Sequence, residues 1–540
     1  MKTFTKSISL AFLCWISGIS AIGQTGIWMK YEKTFESTKT YENPLYQVAR
    51  FQVRFQSPTG KVKTMNGFWD GDKTWRVRFA PDEVGKWNFT SFCSDTLNTG
   101  LHAVKGTFEC VASQSQHAIY TKGSIIHPKG TYHLTHADGT PFFYAACTAW
   151  NGALKSTEKE WETYLQDRVK NHYNVIQFTT TQWRGSEKNS EGNVAFEGSG
   201  RIKLNPAFFQ HLDKKIDEIN SHGLVAAPVL LWALPVSMGR ELSPGYYLPE
   251  PEAILLANYM VARYGGNQVI WILGGDGKYI GEYEQRWKTI GRAVFGGEHP
   301  GVTSLHSQGG SWIGKEYAHE EWLDILGYQT GHNSTDNTIN WITKGPVANE
   351  WSKLPPKVLI NMEPCYEDIV PSVTSKEVRN ASYWSVFSTP VAGITYGANG
   401  IWPWIRPGEK IQNHRQPAML RPWEESIKLP GSVQIGQLAH FIRQYPWWQM
   451  KPAPELVVSQ PAPAGRYISV SRSDDRQTIM AYVPTQTTVQ LFNPQNISYQ
   501  AQWYDPVTNQ SSAANLTNKP GIIEAVSPKN GDQVLVLKKK

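Results

Sequence analysis

Cysteine is scarce in this chain: five in 540 residues, with no C-x-x-C pair and no histidines nearby at zinc-ligand spacing. That excludes zinc fingers, zinc ribbons and thioredoxin-like redox motifs. Past the N-terminus no stretch reaches the roughly eighteen apolar residues of a membrane-spanning helix. No G-x-G-x-x-G or P-loop closes any strand-like run, which argues against dinucleotide or nucleotide chemistry. The net charge of +7 is modest for this length, and the basic residues form no run or interleaved stripe. Nucleic acid is therefore not an expected partner, while an acidic polysaccharide is compatible with the excess. The composition, 40% hydrophobic and 18% charged, lacks the bias of collagen or of disordered chains.

Aromatic residues, by contrast, are plentiful: 22 Trp, 24 Tyr and 20 Phe. Flat rings suit cores, sandwich faces and sugar-stacking platforms alike. The length fits about two to four domains. A cationic start (Lys2, Lys6), an apolar run from Ile8 to Ile22 and the small residues Ala21 and Gly23 read as a signal peptide over 1–23. Cleavage is expected near Gln24, which makes the mature protein secreted or periplasmic. Leu13 is too large for the position before a lipidated Cys14. Export permits a disulfide between Cys93 and Cys110, and two free thiols are the equal alternative. Cys147 and Cys365 read as buried thiols.

Residues 24–115 alternate in short strand-like pieces, among them A-R-F-Q-V-R-F and K-W-N-F-T-S-F, separated by polar turns. That is the pattern of a β-sandwich. Residues 116–450 change to strand, loop and helix in repetition. Eight apolar β-rich runs recur: F-F-Y-A-A, N-V-I-Q-F, L-V-A-A-P-V-L-L, V-I-W-I-L, G-V-T-S-L, W-L-D-I-L, K-V-L-I-N and V-A-G-I-T-Y. Eight βα units predict a (β/α)8 TIM barrel, with an open doubly wound sheet as the alternative. After a proline-rich linker, β alternation returns, and 451–540 reads as a C-terminal β-sandwich. The chain is thus expected to be multidomain, a barrel flanked by two sandwiches.

Barrel chemistry sits at the C-terminal ends of the strands. Only two of those ends carry a carboxylate at the tip, Asp276 and Glu363, 87 positions apart. A typical unit of about 31 residues predicts roughly 93 for a separation of three units, which puts the acids on strands four and seven. Paired carboxylates with separated pKa values are the apparatus of glycoside hydrolysis. Taken singly, a strand-end Asp more often caps a helix or holds a loop. Gly274 and Gly275 are expected to let the backbone turn close to a ligand. Glu367 and Asp368 read as lying beyond the strand, starting a helix or facing solvent. Candidate substrate-binding residues are Trp150, Gln182, Trp183, Trp232, His306, Gln329, His332, Tyr396, Asn399 and Trp402, with Trp404 beside them. Core packing is the competing role for each ring, and a satisfied buried histidine for His306.

F-F-Y-A-A-C-T-A-W, V-I-W-I-L-G-G-D, Y-Q-T-G-H, N-M-E-P-C-Y-E and G-I-T-Y-G-A-N-G-I-W resemble, in order, the apiosidase-like barrel family. G-F-W-D-G and W-R-V-R-F-A-P-D-E-V-G-K-W resemble the sandwich domain that precedes many bacterial glycoside-hydrolase barrels. The barrel family includes glycoside hydrolases that remove apiose from pectin. The resemblance implies that Asp276 is the acid/base and Glu363 the nucleophile of a retaining mechanism needing no metal or organic cofactor. One departure stands out: where the family commonly reads Gly-Asp after strand one, this chain has Ala146-Cys147. If that acid contacts the terminal sugar, a hydroxyl-binding group is lost.

The expected activity is an exported retaining glycosidase removing a terminal sugar, apiose or a related pentose or hexose, from a plant-type or algal-type polysaccharide. The alternative is a non-catalytic glycan- or matrix-binding protein on a barrel scaffold. Linkage, exo or endo action and oligomeric state stay open at this level.

Overall fold

The eight apolar runs become eight parallel strands in the computed structural model, which describes residues 23–235, 240–417 and 419–540. The expected signal peptide therefore lies, but for Gly23, outside the described residues. The strands are β1 (Tyr144–Thr148), β2 (Val175–Thr179), β3 (Val225–Trp232), β4 (Ile270–Gly275), β5 (Val302–His306), β6 (Ile325–Gln329), β7 (Val358–Glu363) and β8 (Gly393–Tyr396). Every residue in all eight is buried, because the barrel interior lies on one face and the helices on the other. Neighbours in sequence pair from β1 to β7, and β8 returns to pair with β1. At the seam between β7 and β8 a parallel bridge, Glu367 to Ala398, joins the chain just past the strand tips. The doubly wound alternative is thereby excluded.

The helices between strands begin and end where local chemistry dictates. Thr157 with Glu160, and Thr374 with Glu377, form capping boxes that satisfy the first N–H groups of Glu158–Lys170 and Ser375–Phe387. Pro206–Ser221 starts from an Asn205 cap and buries Phe208, Leu212, Ile216 and Ile219 on one stripe. Gly223, at φ +75°, then turns the chain into β3 in the left-handed conformation that favours glycine at such a position.

The N-terminal region packs a five-stranded sheet on a three-stranded one around Phe55, Val77, Trp87, Phe89 and Phe108. There the register sets Gly85 opposite Cys110, so Cys93 stands eight residues further along the same strand, about 27 Å away. No disulfide can span that distance. The four cysteines among the described residues are all buried free thiols. At the C-terminal end, a six-stranded and a three-stranded sheet enclose Ile479, Ala481, Leu491, Trp503, Ile523 and Leu535. The proline-rich linker is not a free tether, since Met450–Pro452 pairs with Ser471–Ser473 as the edge of that sheet.

Buried ion pairs join these layers. Asp213 on a barrel helix accepts from Arg78 of the N-terminal sandwich (2.6 and 2.9 Å) and from Arg263 of the barrel (2.7 and 2.7 Å). On the other side Arg379 holds Asp532 of the C-terminal sheet at 2.7 and 2.9 Å, beside the stacked Tyr383–Tyr482 pair.

Candidate active site

The tips of β4 and β7 bring Asp276 and Glu363 to one cavity of about 350 Å³. Asp276 follows the last residue of β4 at φ 50°, a left-handed conformation that aspartate tolerates better than most residues. Its N–H donates to His306 Nδ1 at 3.1 Å. Nδ1 is therefore the unprotonated nitrogen of that ring, and Nε2, which carries the proton, stands 3.1 Å from Glu363 Oε2. His332 Nε2 lies 3.0 Å from the other carboxylate oxygen. One imidazole thus ties the main chain of the first acid to the side chain of the second, and a second imidazole holds the second acid from the rim. A register shift between Tyr328 and Gln329 skips Met362 and sets Gln329, rather than Thr330, against Glu363, a local irregularity of the kind that re-aims a side chain at a strand tip.

The neighbours drive the two acids apart. Enclosure raises the carboxyl of Asp276, the negative charge of Glu363 raises it further, and the result is about 7 despite the opposing pull of His306, Arg184 and His332. Burial would raise Glu363 as well, but the two imidazoles more than offset it and hold that carboxyl well below the ordinary range. At neutral pH one acid retains a proton for much of the time and the other is ionised.

Around the pair stand Trp150, Trp183, Arg184, Trp232, Gln329, His332, Tyr366, Trp402 and His414. Five polar atoms on this wall are buried and have no partner among the described residues: Arg184 Nε, Trp232 Nε1, Gln329 Oε1, His332 Nδ1 and Trp402 Nε1. Trp150 packs edge-on against Trp232 and His306, and its Nε1 donates to Tyr366 OH at 2.9 Å. Of the expected binding residues, Trp150, Trp183, Trp232, Gln329, His332 and Trp402 thus line the cavity with the acids, and His306 lies beneath Glu363.

Four residues go elsewhere. Gln182 donates to Phe196 O at 2.7 Å and accepts from Ala195 N at 2.9 Å, so it pins a loop. Tyr396 points into the helix layer and donates to Glu367 at 2.7 Å. Asn399 binds the carbonyls of Asp368 and Met419. Trp404 stacks on Trp423 at 4.6 Å in the core. Glu367 is not solvent-facing but 2% exposed, held by Tyr396 and the Gly431 N–H, with burial raising its carboxyl. Asp368 pairs with Arg421 at 2.7 Å. The two glycines before Asp276 serve packing: a Cβ on Gly275 would meet Val229 at 2.7 Å and Trp232 at 2.9 Å, and one on Gly274 would meet Tyr279 OH at 2.6 Å.

Cys147 lies away from this cavity. It is register partner to Tyr396 and, like it, faces the helix layer, where Arg168 Nη1 donates to its sulfur at 3.6 Å. An acid here would meet that guanidinium and not the cavity. Arg184, Tyr366 and His414 are cavity residues that the sequence alone did not single out. Arg184 was within reach, as the residue after Trp183 at the end of β2, and Tyr366 sits three residues past Glu363. His414, on a long loop, carried no signal.

A parallel eightfold barrel with two differently tuned acids over its mouth is the architecture of a glycoside hydrolase. Residues 128–449 match the family described as Apiosidase-like, catalytic domain, and this chain belongs to it. Residues 24–94 match a domain of unknown function, DUF5060, and residues 452–538 match the "Putative collagen-binding domain of a collagenase". Among solved structures, one described as "putative glycoside hydrolase" from Bacteroides vulgatus ATCC 8482 superposes with a TM-score of 0.70 at 17% identity, covering 96% of this chain and 100% of that one. A second, described as "Glycoside hydrolase", gives 0.68 at 22% identity, covering 78% of this chain and 97% of the other. A family 5 glycoside hydrolase, also from Bacteroides vulgatus ATCC 8482, gives 0.67 at 21% identity over 78% and 94%. At these identities the likeness is one of fold. No curated protein matches in sequence.

Proposed function

We propose that the protein is an exported retaining glycoside hydrolase that removes a terminal sugar, apiose or a related pentose or hexose, from a plant-type or algal-type polysaccharide. The observation that carries this reading is the split between two acids sharing one cavity. Asp276 is raised and protonated, fit to donate; Glu363 is lowered and ionised, fit to attack. In the first step Asp276 gives its proton to the glycosidic oxygen as the C1–O bond breaks, and a Glu363 oxygen bonds to C1. In the second, Asp276 takes a proton from water, whose oxygen bonds to C1 and releases Glu363 as the carboxylate. His306 and His332 steady the charge that Glu363 carries before attack and regains after it. The unpaired polar atoms of Trp232, Gln329, His332 and Trp402 are suited to sugar hydroxyls and ring oxygens, and the indole faces to the apolar side of a pyranose or furanose.

A panel of pectic, hemicellulosic and algal oligosaccharides, with the first-formed anomer of the released sugar read by NMR, tests the reading. Retained configuration is expected; inversion would remove Glu363 from the nucleophile's role. Glycan binding without turnover on any member would favour a binding protein instead.

A further inference from the structure

A second cleft, of about 310 Å³, opens on the flank of the barrel, where the N-terminal sandwich meets the helices Glu250–Tyr264 and Glu284–Phe295. It shares no residue with the catalytic cavity. Its floor is aromatic, built from Phe51, Phe68, Trp69, Trp75 and Tyr259. Trp69 and Trp75 are direct register partners on the paired strands Phe68–Trp69 and Thr74–Phe79, so their side chains stand on one face of that sheet. Trp69 is half-buried and its indole is fixed, because Nε1 donates to Asp72 O at 3.0 Å. Trp75 is 4% exposed, and its Nε1 has no partner among the described residues. Three polar side chains from separate elements line the same cleft with donors unspent. The Arg50 guanidinium and the Asn258 amide make no hydrogen bond or ion pair with any described residue. Asn66 accepts from Gln52 at 3.0 Å through Oδ1, which leaves its Nδ2 free. Among the described residues no carboxylate lines the cleft to take these donors. Rings bordered by N–H groups suit a sugar: its apolar face covers an indole, and its hydroxyl and ring oxygens accept from the edge. A peptide fits less well, since it brings as many N–H groups as carbonyls.

We propose that this cleft is an accessory carbohydrate-binding site, which holds a sugar unit of the polymer away from the catalytic cavity. Trp69 is the stacking platform, and Arg50, Asn66 and Asn258 donate to the oxygens of the bound unit. The choice of a polysaccharide as ligand rests on the glycosidase reading. A chain tethered on the flank meets the mouth at a raised local concentration, so the site acts on capture of the polymer and not on the bond-breaking step.

The test uses the full chain in affinity electrophoresis through gels containing pectin, xyloglucan or a sulfated algal polysaccharide. The wild type is compared with Trp69→Ala and with the double variant Arg50→Ala/Asn258→Ala, each checked by thermal unfolding. Retardation by at least one polysaccharide is expected, and each variant should bind it roughly 10-fold more weakly, the usual loss when a binding anchor is truncated. In hydrolysis the loss should appear in KM for the polymer rather than in kcat. Should Trp69→Ala fail to fold, the double variant decides, since its side chains stand at the edge of the cleft. Unchanged retardation in the folded variants, or no retardation of the wild type by any polysaccharide, overturns the proposal. A change from dimer to monomer in Trp69→Ala, read by analytical ultracentrifugation, also overturns it, because the cleft would then belong to a second copy of the chain. Weakened binding in the variants with no hydrolysis by the wild type upholds the site and defeats the glycosidase reading. Hydrolysis of the polymer that is indifferent to the variants does the reverse.

Discussion

His306 is the most informative residue to remove, because it touches both acids. It accepts from the Asp276 N–H and sets its Nε2 against Glu363, at 0% side-chain exposure. In His306→Ala the Glu363 carboxylate loses one of the two groups that hold its pKa down. Nε2 approaches Oε2 at 3.1 Å without the alignment of a full hydrogen bond, so the contact contributes at most the about 1.5–3 kcal/mol of an aligned bond to a buried charge, or at most about 1–2 pKa units. The acid limb of kcat/KM, set by ionisation of Glu363, should rise by up to that amount, from below the ordinary carboxylate range into it. Asp276 also loses a neighbour that lowers it, so the alkaline limb, starting from about 7, should move upward too. Both limbs shift in the same direction, and kcat/KM at its new optimum falls roughly 10- to 100-fold. His332→Ala should shift them the same way but by less, since that ring is 31% exposed and water replaces part of its effect. His306→Gln, whose amide can both donate and accept, should recover part of the loss. The assay is a pH–rate series with thermal unfolding of each variant as a folding control. An unmoved acid limb in a folded His306→Ala, or limbs moving in opposite directions, would refute the coupling.

For the acids themselves, Glu363→Ala and Asp276→Ala should each remove hydrolysis while far-UV circular dichroism stays unchanged. Azide should restore turnover in both, giving a glycosyl azide of inverted configuration with the first and retained with the second; the opposite pattern would exchange their roles. Cys147→Asp puts a carboxylate against Arg168 behind the barrel wall, so the ratio of kcat/KM between any two substrates should change by less than about threefold. A larger change in preference would mean that position 147 is felt at the sugar. Asp213→Ala leaves the guanidinium groups of Arg78 and Arg263 facing each other in the domain interface, and should cost about 3–5 kcal/mol in chemical denaturation. Burial raises Asp213 and its two arginines lower it further, to about 2, so the wild-type contribution is complete above the unfolded value near 4 and disappears as the pH falls through 2. Loss of stability only on the alkaline side would contradict that account.

The barrel was legible because its signals are local and repeated. A strand buried on both faces must be apolar throughout, and V-I-W-I-L and L-V-A-A-P-V-L-L advertise that without help from distant residues. The two acids were legible for a related reason, since spacing along the chain is spacing around a barrel. Their opposite tuning was not, because it depends on His306 and His332 arriving from β5 and from the loop after β6. Gln182, Tyr396 and Asn399 looked like sugar ligands from their position at strand ends. Their partners are a loop carbonyl, a buried glutamate and two main-chain oxygens, none of which has a sequence signature at the strand itself. The cysteine pair stayed open in the sequence for a similar reason: a hairpin places its strands side by side, but only the register says which residues face each other.

Cys147 illustrates what the two-residue period of a strand decides. Side chains along a strand alternate between barrel interior and helix layer, so residues 145 and 147 share one face and 146 and 148 the other. Thr148 lies on the side of the mouth, where Tyr366 and Trp150 meet, and alternation then puts 147 on the outside. There it shares its environment with Arg168, Tyr164 and Tyr173, whose rings lie 5.4 and 4.8 Å from the guanidinium. Replacing an acid by cysteine at such a place removes a countercharge from the wall and leaves the cavity's own polar atoms untouched. What this chain recognises is therefore to be sought among the residues that line the mouth, and not in the motif position where its sequence departs from its family.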